Sequence, residues 1–209
     1  MTESELIEFD VYYDYQCPFV YRLFVLLHSI TSSSLRHLRI HWRYFSLTQV
    51  NSKDDGWTVW AAPASELVRG RLAFQAAEAA RRQARFAELH VALLHARHRD
   101  GLDVDAVDVV EDLAARSGLD MNAFRKDLTD PTTLDALAGD HREAVDRFGV
   151  FGTPTIVFPD GAAAYVRLGE AVDGEGAGDL FDRLFSMISS EPRIRELKRP
   201  SRPRPPAIG

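Results

Sequence analysis

A chain of 209 residues with 45% hydrophobic and 27% charged residues has an ordinary globular composition and fits one domain with a sizeable insertion. Its 25 Lys and Arg against 31 Asp and Glu leave a formal charge of −6, which argues against bulk attraction to nucleic acid or to an anionic membrane. A single cysteine cannot close a disulfide within the chain, and no segment approaches the uninterrupted apolar length of a membrane span.

In chain order, "LIEFDVYYD" (Leu6–Asp14) alternates and is rich in β-branched and aromatic residues, which predicts a strand. "PFVYRLFVLLHSI" (Pro18–Ile30) is too long and too apolar for a strand, and Pro18 suits a first helical turn, where its missing N–H costs nothing. Ser32–Ser34 end that helix. "LRIHWRYFSL" (Leu38–Leu47) reads as a second strand with Leu38, Ile40, Trp42 and Tyr44 on one face. Strand, helix, strand with a short return implies a parallel pair and a right-handed crossover.

From about Trp57 to Phe148 the pattern turns helical. Glu66–His98 carries apolar residues at helical spacing, "DVDAVDVVEDLAARSG" starts on Asp and stops at Gly118, and "DMNAFRKDLTD" is a short helix. "PTTLDALAGDHREAVDRFG" runs from Pro131 to Gly149. "PTIVFP", the turn "DG" and "AAAYVRL" then read as a β-hairpin, and "GDLFDRLFSMI" (Gly178–Ile188) as a last amphipathic helix. The Pro- and Arg-rich end, 191–209, reads as a disordered or partner-draped extension. The predicted fold is therefore α/β: β-α-β, a helical block, then β-β-α.

Cys17 falls at the first strand-to-helix junction. The unpaired N–H groups and positive end of the helix favour an anion there, and a thiolate is the nucleophilic form of cysteine. Tyr15 and Phe19 flank it with apolar surface, which opposes ionisation by desolvation. The bland alternative is a small buried hydrophobe. A second signal is "GVFGTPTIVF" (Gly149–Phe158), where Pro154 after Thr153 and a glycine turn is a candidate cis bond opening a strand.

These two motifs, in this order and separated by a helical stretch, resemble the DsbA-like branch of the thioredoxin superfamily. "DYQCPFVYR" looks like that family's CPxC segment and "FGTPTIVF" like its cis-proline loop; the resemblance spans Leu6 to Ile188. It extends to the kappa-class glutathione transferases and 2-hydroxychromene-2-carboxylate isomerases, which carry serine where this chain has Cys17. The resemblance implies a thioredoxin-like fold over 1–56 and 149–190 with a helical insertion over 57–148. It also implies Cys17 as nucleophile, with Thr153 and Pro154 presenting backbone to a bound thiol or peptide. Pro18, Tyr15 and Phe19 complete the expected binding surface.

Two departures shape the expected chemistry. Val20 stands where the family's second cysteine would be, so no intramolecular disulfide can form or be transferred. The Asp-Arg pair by which kappa-type enzymes hold glutathione is not evident in "RLGEAVDGE" (Arg167–Glu175).

Trp57, Trp60 and Phe45 lie where the chain leaves the second strand, either lining a pocket over Cys17 or packing ordinarily. Of His90, His95 and His98 only the last two share a helix face, and no third ligand completes a zinc pattern, so surface or half-buried histidines and no metal are expected.

Three readings of function stay open. In the first, a cytoplasmic thiol–disulfide oxidoreductase uses Cys17 and an external low-molecular-weight thiol such as glutathione or mycothiol, with no tightly bound cofactor. In the second, a transferase or isomerase of the kappa kind uses Cys17 to hold a thiol cofactor. In the third, a binding protein has lost the reaction. The expected partner is a small thiol or disulfide rather than nucleic acid or membrane; a homodimer is left open.

Overall fold

The computed structural model describes residues 6–199. Strand β1 (Leu6–Tyr13) leads into α1 (Pro18–Ser32) and returns as β2 (His37–Tyr44), paired to β1 in parallel from Leu6 opposite His37 to Tyr13 opposite Tyr44. Six helices follow: α2 (Leu47–Val50), α3 (Arg71–Arg82), α4 (Phe86–His98), α5 (Val107–Arg116), α6 (Met121–Leu128) and α7 (Thr133–Phe148). The chain then re-enters the sheet as the short antiparallel hairpin β3 (Thr155–Val157) and β4 (Ala163–Tyr165), and ends in α8 (Ala177–Ser190). The sheet order is β2-β1-β3-β4, so β1 and β3 are central.

Alternation in β1 sends its side chains to both faces of the sheet and into three cores. Phe9 and Val11 meet Leu23, Leu26 and Ile30 of α1 and Phe181 and Phe185 of α8. Tyr12 faces the other way, with Phe45, Ala144 of α7, Val150 and Val157. Tyr13 reaches a third and larger core shared with α3 to α6. In α1 the buried residues Val20, Leu23, Phe24, Leu26, Leu27 and Ile30 recur at helical spacing, and Pro18 takes the first turn as expected.

Two stretches differ from the sequence reading. The Ala- and Arg-rich run is two helices, broken at Gln83–Arg85 with Ala84 at φ 55°. No Gly or Pro marks this break. It is held by Arg85 N–H donating to the Ala80 carbonyl at 2.8 Å, and by Gln83, whose side chain bonds both backbone groups of Asp120. The segment from Trp57 to Gly70 is turns instead of helix. Buried Arg71 organises part of it by donating to the carbonyls of Ala62, Pro63 and Glu66.

β2 is an edge strand, and its open edge is covered by side chains of the helical block. Arg81 donates to the Trp42 carbonyl, and Tyr44 N–H donates to Asp140 at 2.9 Å. Among the described residues no helix is long and apolar enough to cross a membrane. The Pro- and Arg-rich extension expected at the end falls mostly outside the described residues; 191–199 carry neither helix nor strand.

Candidate active site

Cys17 is the N-cap residue of α1, with extended φ and ψ and no capping bond from its side chain. Its sulfur instead faces the loop before β3: Sγ donates to the Thr153 carbonyl oxygen at 3.2 Å. The Thr153–Pro154 peptide is cis. The two motifs 136 residues apart in sequence therefore meet at one sulfur. Cys17 is only 4% exposed.

The loop that carries Cys17 is tied down at every residue. Asp14 is buried, and its carboxylate accepts the Gln16 N–H at 2.8 Å and the Leu47 N–H at 2.7 Å. Its carbonyl accepts the Cys17 N–H at 3.0 Å. The first of these bonds is an Asx turn, and Asp just after a strand and two residues before Gln16 was the signal for it. Burial pushes the Asp14 carboxyl up to about 6 against the donated N–H bonds, which favour the anion.

Gln16 donates to Asp105 at 2.9 Å, and Asp105 also accepts the Gly70 N–H. Gly70 sits at φ 83°, a left-handed conformation that glycine adopts without strain, and a Cβ there would lie 3.6 Å from the Asp14 carboxylate. His98 Nε2 donates to the Tyr15 carbonyl at 2.8 Å. The start of α3, the end of α4 and the segment before α5 thus clasp the cysteine loop.

The predicted site residues divide. Cys17, Thr153 and Pro154 are brought together; Pro18 is exposed beside them and Phe19 is half-buried. Tyr15 is fully buried instead of lining the surface. Its hydroxyl accepts from Tyr13 and meets His90 Nδ1 at 2.9 Å, so its ring fastens the loop to α4. Phe45 is likewise fully buried, stacked on His141 at 4.5 Å, and offers a substrate no surface. Trp57 donates to Glu66, while Trp60 lies against His141 and Arg142. These contacts place the two tryptophans in the packing of the turn segment and α7. His90, expected at or near the surface, is a core residue at 2% exposure.

Sequence reasoning missed four neighbours. Phe151 and Tyr165 are exposed and pack together at 5.1 Å, and a Cβ at Gly152 would come within 3.3 Å of the Tyr165 ring. Burial raises the Tyr165 hydroxyl above its ordinary range, Arg167 works against this, and the Cys17 charge adds to it. Phe19 lies under two guanidinium groups, Arg167 at 4.0 Å and Arg22 at 5.1 Å. Arg22 also donates to the Leu168 carbonyl at 2.9 Å. Nothing local marked these residues, because β4 reaches α1 only through the hairpin.

A family model, the DSBA-like thioredoxin domain, matches residues 8–182. The chain belongs to that family. Solved structures share the fold: a probable DsbA oxidoreductase from Streptomyces coelicolor at 19% identity, covering 92% of this chain and 93% of that one with a TM-score of 0.63. A 2-hydroxychromene-2-carboxylate isomerase matches at 16% identity over 86% and 93%, with a TM-score of 0.60. The DsbA of Pseudomonas aeruginosa matches at 16% over 89% and 85%, with a TM-score of 0.56. At these identities the likeness is one of fold. No curated protein matches the chain. Within this DsbA-like chain Val20, at the family's second cysteine position, is fully buried in the first turn of α1, so Cys17 is the sole thiol of the site.

Proposed function

We propose that this DsbA-like protein is a cytoplasmic single-cysteine thiol–disulfide oxidoreductase that relies on a thiol from solution. The observation that carries the reading is Cys17 Sγ at the N-terminus of α1, 3.2 Å from the Thr153 carbonyl, with no second thiol in the chain. The Cys17 thiolate attacks one sulfur of a disulfide, forming a Cys17 mixed disulfide and releasing the other half as a thiolate. An external low-molecular-weight thiolate, glutathione or another, then attacks the substrate-derived sulfur and regenerates the Cys17 thiolate. Atoms and electrons balance without any oxidant: one external thiol is exchanged into a disulfide and one substrate thiol is freed.

A second reading, a kappa-like transferase or isomerase, has one observation in its favour. Arg22 and Arg167 make no ion pair with a carboxylate among the described residues and flank Phe19 beside the sulfur. They fit the carboxylate of a thiol cofactor, which would supply the nucleophilic sulfur while Cys17 and the Thr153 backbone orient it.

Incubation with oxidised glutathione followed by intact-mass measurement tests the first reading. A single glutathione adduct, removed by fresh reduced thiol and absent in Cys17→Ser, supports it. An isomerase or transferase activity that survives Cys17→Ser favours the second. A native protein that neither forms the adduct nor reacts with iodoacetamide refutes thiol chemistry at Cys17.

A further inference from the structure

A cleft of about 570 Å³ lies at the seam where α1 and β2 meet α3, α4 and α7. Its volume is in the range of small-molecule sites, and such seams are where they occur. Phe24, Leu27, Ile40, Trp42, Phe86 and Val91 form the walls, and neither Cys17 nor Thr153 is among them.

His90 contributes to the lining as well, and its bonding fixes what it offers. Tyr13 donates to the Tyr15 hydroxyl, which leaves the Tyr15 proton for His90 Nδ1 at 2.9 Å. Nδ1 is thereby the acceptor and Nε2 carries the hydrogen. Nε2 is buried and has no partner, an unfavourable state for a donor in the interior. Nitrogens of one imidazole point to opposite sides of the ring. With Nδ1 turned to Tyr15, Nε2 is directed away from the Tyr15 hydroxyl, and the residue is part of the cleft lining. Burial holds the imidazole down to about 3, so at neutral pH the group offers one hydrogen and no charge.

Charges at the mouth cancel. Arg43 pairs with Asp140 at 3.2 Å and Arg81 with Glu78 at 3.3 Å, which leaves little attraction for an ion of either sign.

We propose that this cleft is a second binding site, separate from Cys17, for a flat, uncharged, largely apolar molecule that presents one acceptor oxygen to His90 Nε2. Trp42 and Phe86, both half-buried and 4.5 and 5.0 Å from the His90 ring, would sandwich its ring system. Because Nε2 has no solvent contact, the oxygen reaches it as one of these side chains turns aside.

The probe for the test is prodan, an uncharged naphthalene carrying one ketone and a dimethylamino group. Saturable one-to-one binding to the full chain with blue-shifted emission is expected, unchanged in Cys17→Ser. Ala87 is exposed and lines the mouth, so Ala87→Trp fills the opening without disturbing the core and should weaken binding at least tenfold. The ketone-free analogue should bind about tenfold more weakly, the cost of leaving the donor unpaired. The His90 Nε2–H proton resonance should move when prodan is added. Binding that does not saturate, that ignores Ala87→Trp or that is equal without the ketone would overturn the proposal. Loss of binding in Cys17→Ser would also overturn it, by placing the probe at the cysteine. None of these readouts depends on the redox chemistry proposed for Cys17.

Discussion

Replacing Asp14 by Asn tests the electrostatics of the cysteine loop directly. Asp14 is 1% exposed and its carboxyl is pushed up to about 6 by burial, against 3.8 for an ordinary aspartate. Below the lower value both folded and unfolded chains hold the proton. Between the two, the folded chain keeps it and the unfolded chain has lost it, so stability falls as pH rises through this window. Above the upper value the loss is complete. At about 1.4 kcal/mol for each tenfold in proton affinity, the loss comes to about 3 kcal/mol.

Asn cannot titrate. It keeps one acceptor for the Gln16 or Leu47 N–H but turns an NH2 toward the other, at a roughly pH-independent cost of about 1–3 kcal/mol. Urea unfolding followed by fluorescence of Trp42, Trp57 and Trp60 would give both stabilities at several pH values. The wild-type protein should be the more stable near pH 4, and its advantage should shrink by about 2–2.5 kcal/mol by about pH 7. Titrating groups elsewhere, including the histidines, act on both proteins and cancel in the difference. An advantage that changes by less than about 1 kcal/mol across that range, beyond the error of extrapolation, would refute the assignment of a proton to buried Asp14.

Further outcomes follow from the same geometry. His141 accepts the Ser46 N–H at 3.2 Å, and burial lowers it to about 4; protonation therefore favours the unfolded chain, and stability drops as pH falls from about 6.5 toward 4. His141→Asn, which keeps an acceptor near Nδ1, should flatten that acid limb in the urea assay. Val20 N–H donates to the Cys17 carbonyl at 3.2 Å, so Val20→Cys places a second thiol within one helical turn. Mild oxidation should then remove both free thiols and abolish glutathione adduct formation; persistence of two free thiols would contradict the α1 geometry. Gly149 closes α7 at φ 64° with nothing within 4 Å of a Cβ. Gly149→Ala should therefore cost only backbone strain, about 1–2 kcal/mol, seen as a melting point lowered by roughly 2–8 °C.

Local pattern carried much of this molecule. Alternation in Leu6–Tyr13, the apolar spacing after Pro18, the glycine that stops α7 and the Thr153–Pro154 pair each act within a few residues, where periodicity and backbone preference are readable directly. They were enough for the β-α-β and β-β-α halves, the DsbA-like family and the candidate sulfur. Packing decided the rest. That Tyr15 and Phe45 turn inward, that His90 is buried in the core while His98 holds the Tyr15 carbonyl, and that Gly70 and Asp105 clasp Gln16 all depend on partners distant in sequence. A polar side chain's place is set by which distant group can satisfy it once buried, and residue spacing contains no record of that choice.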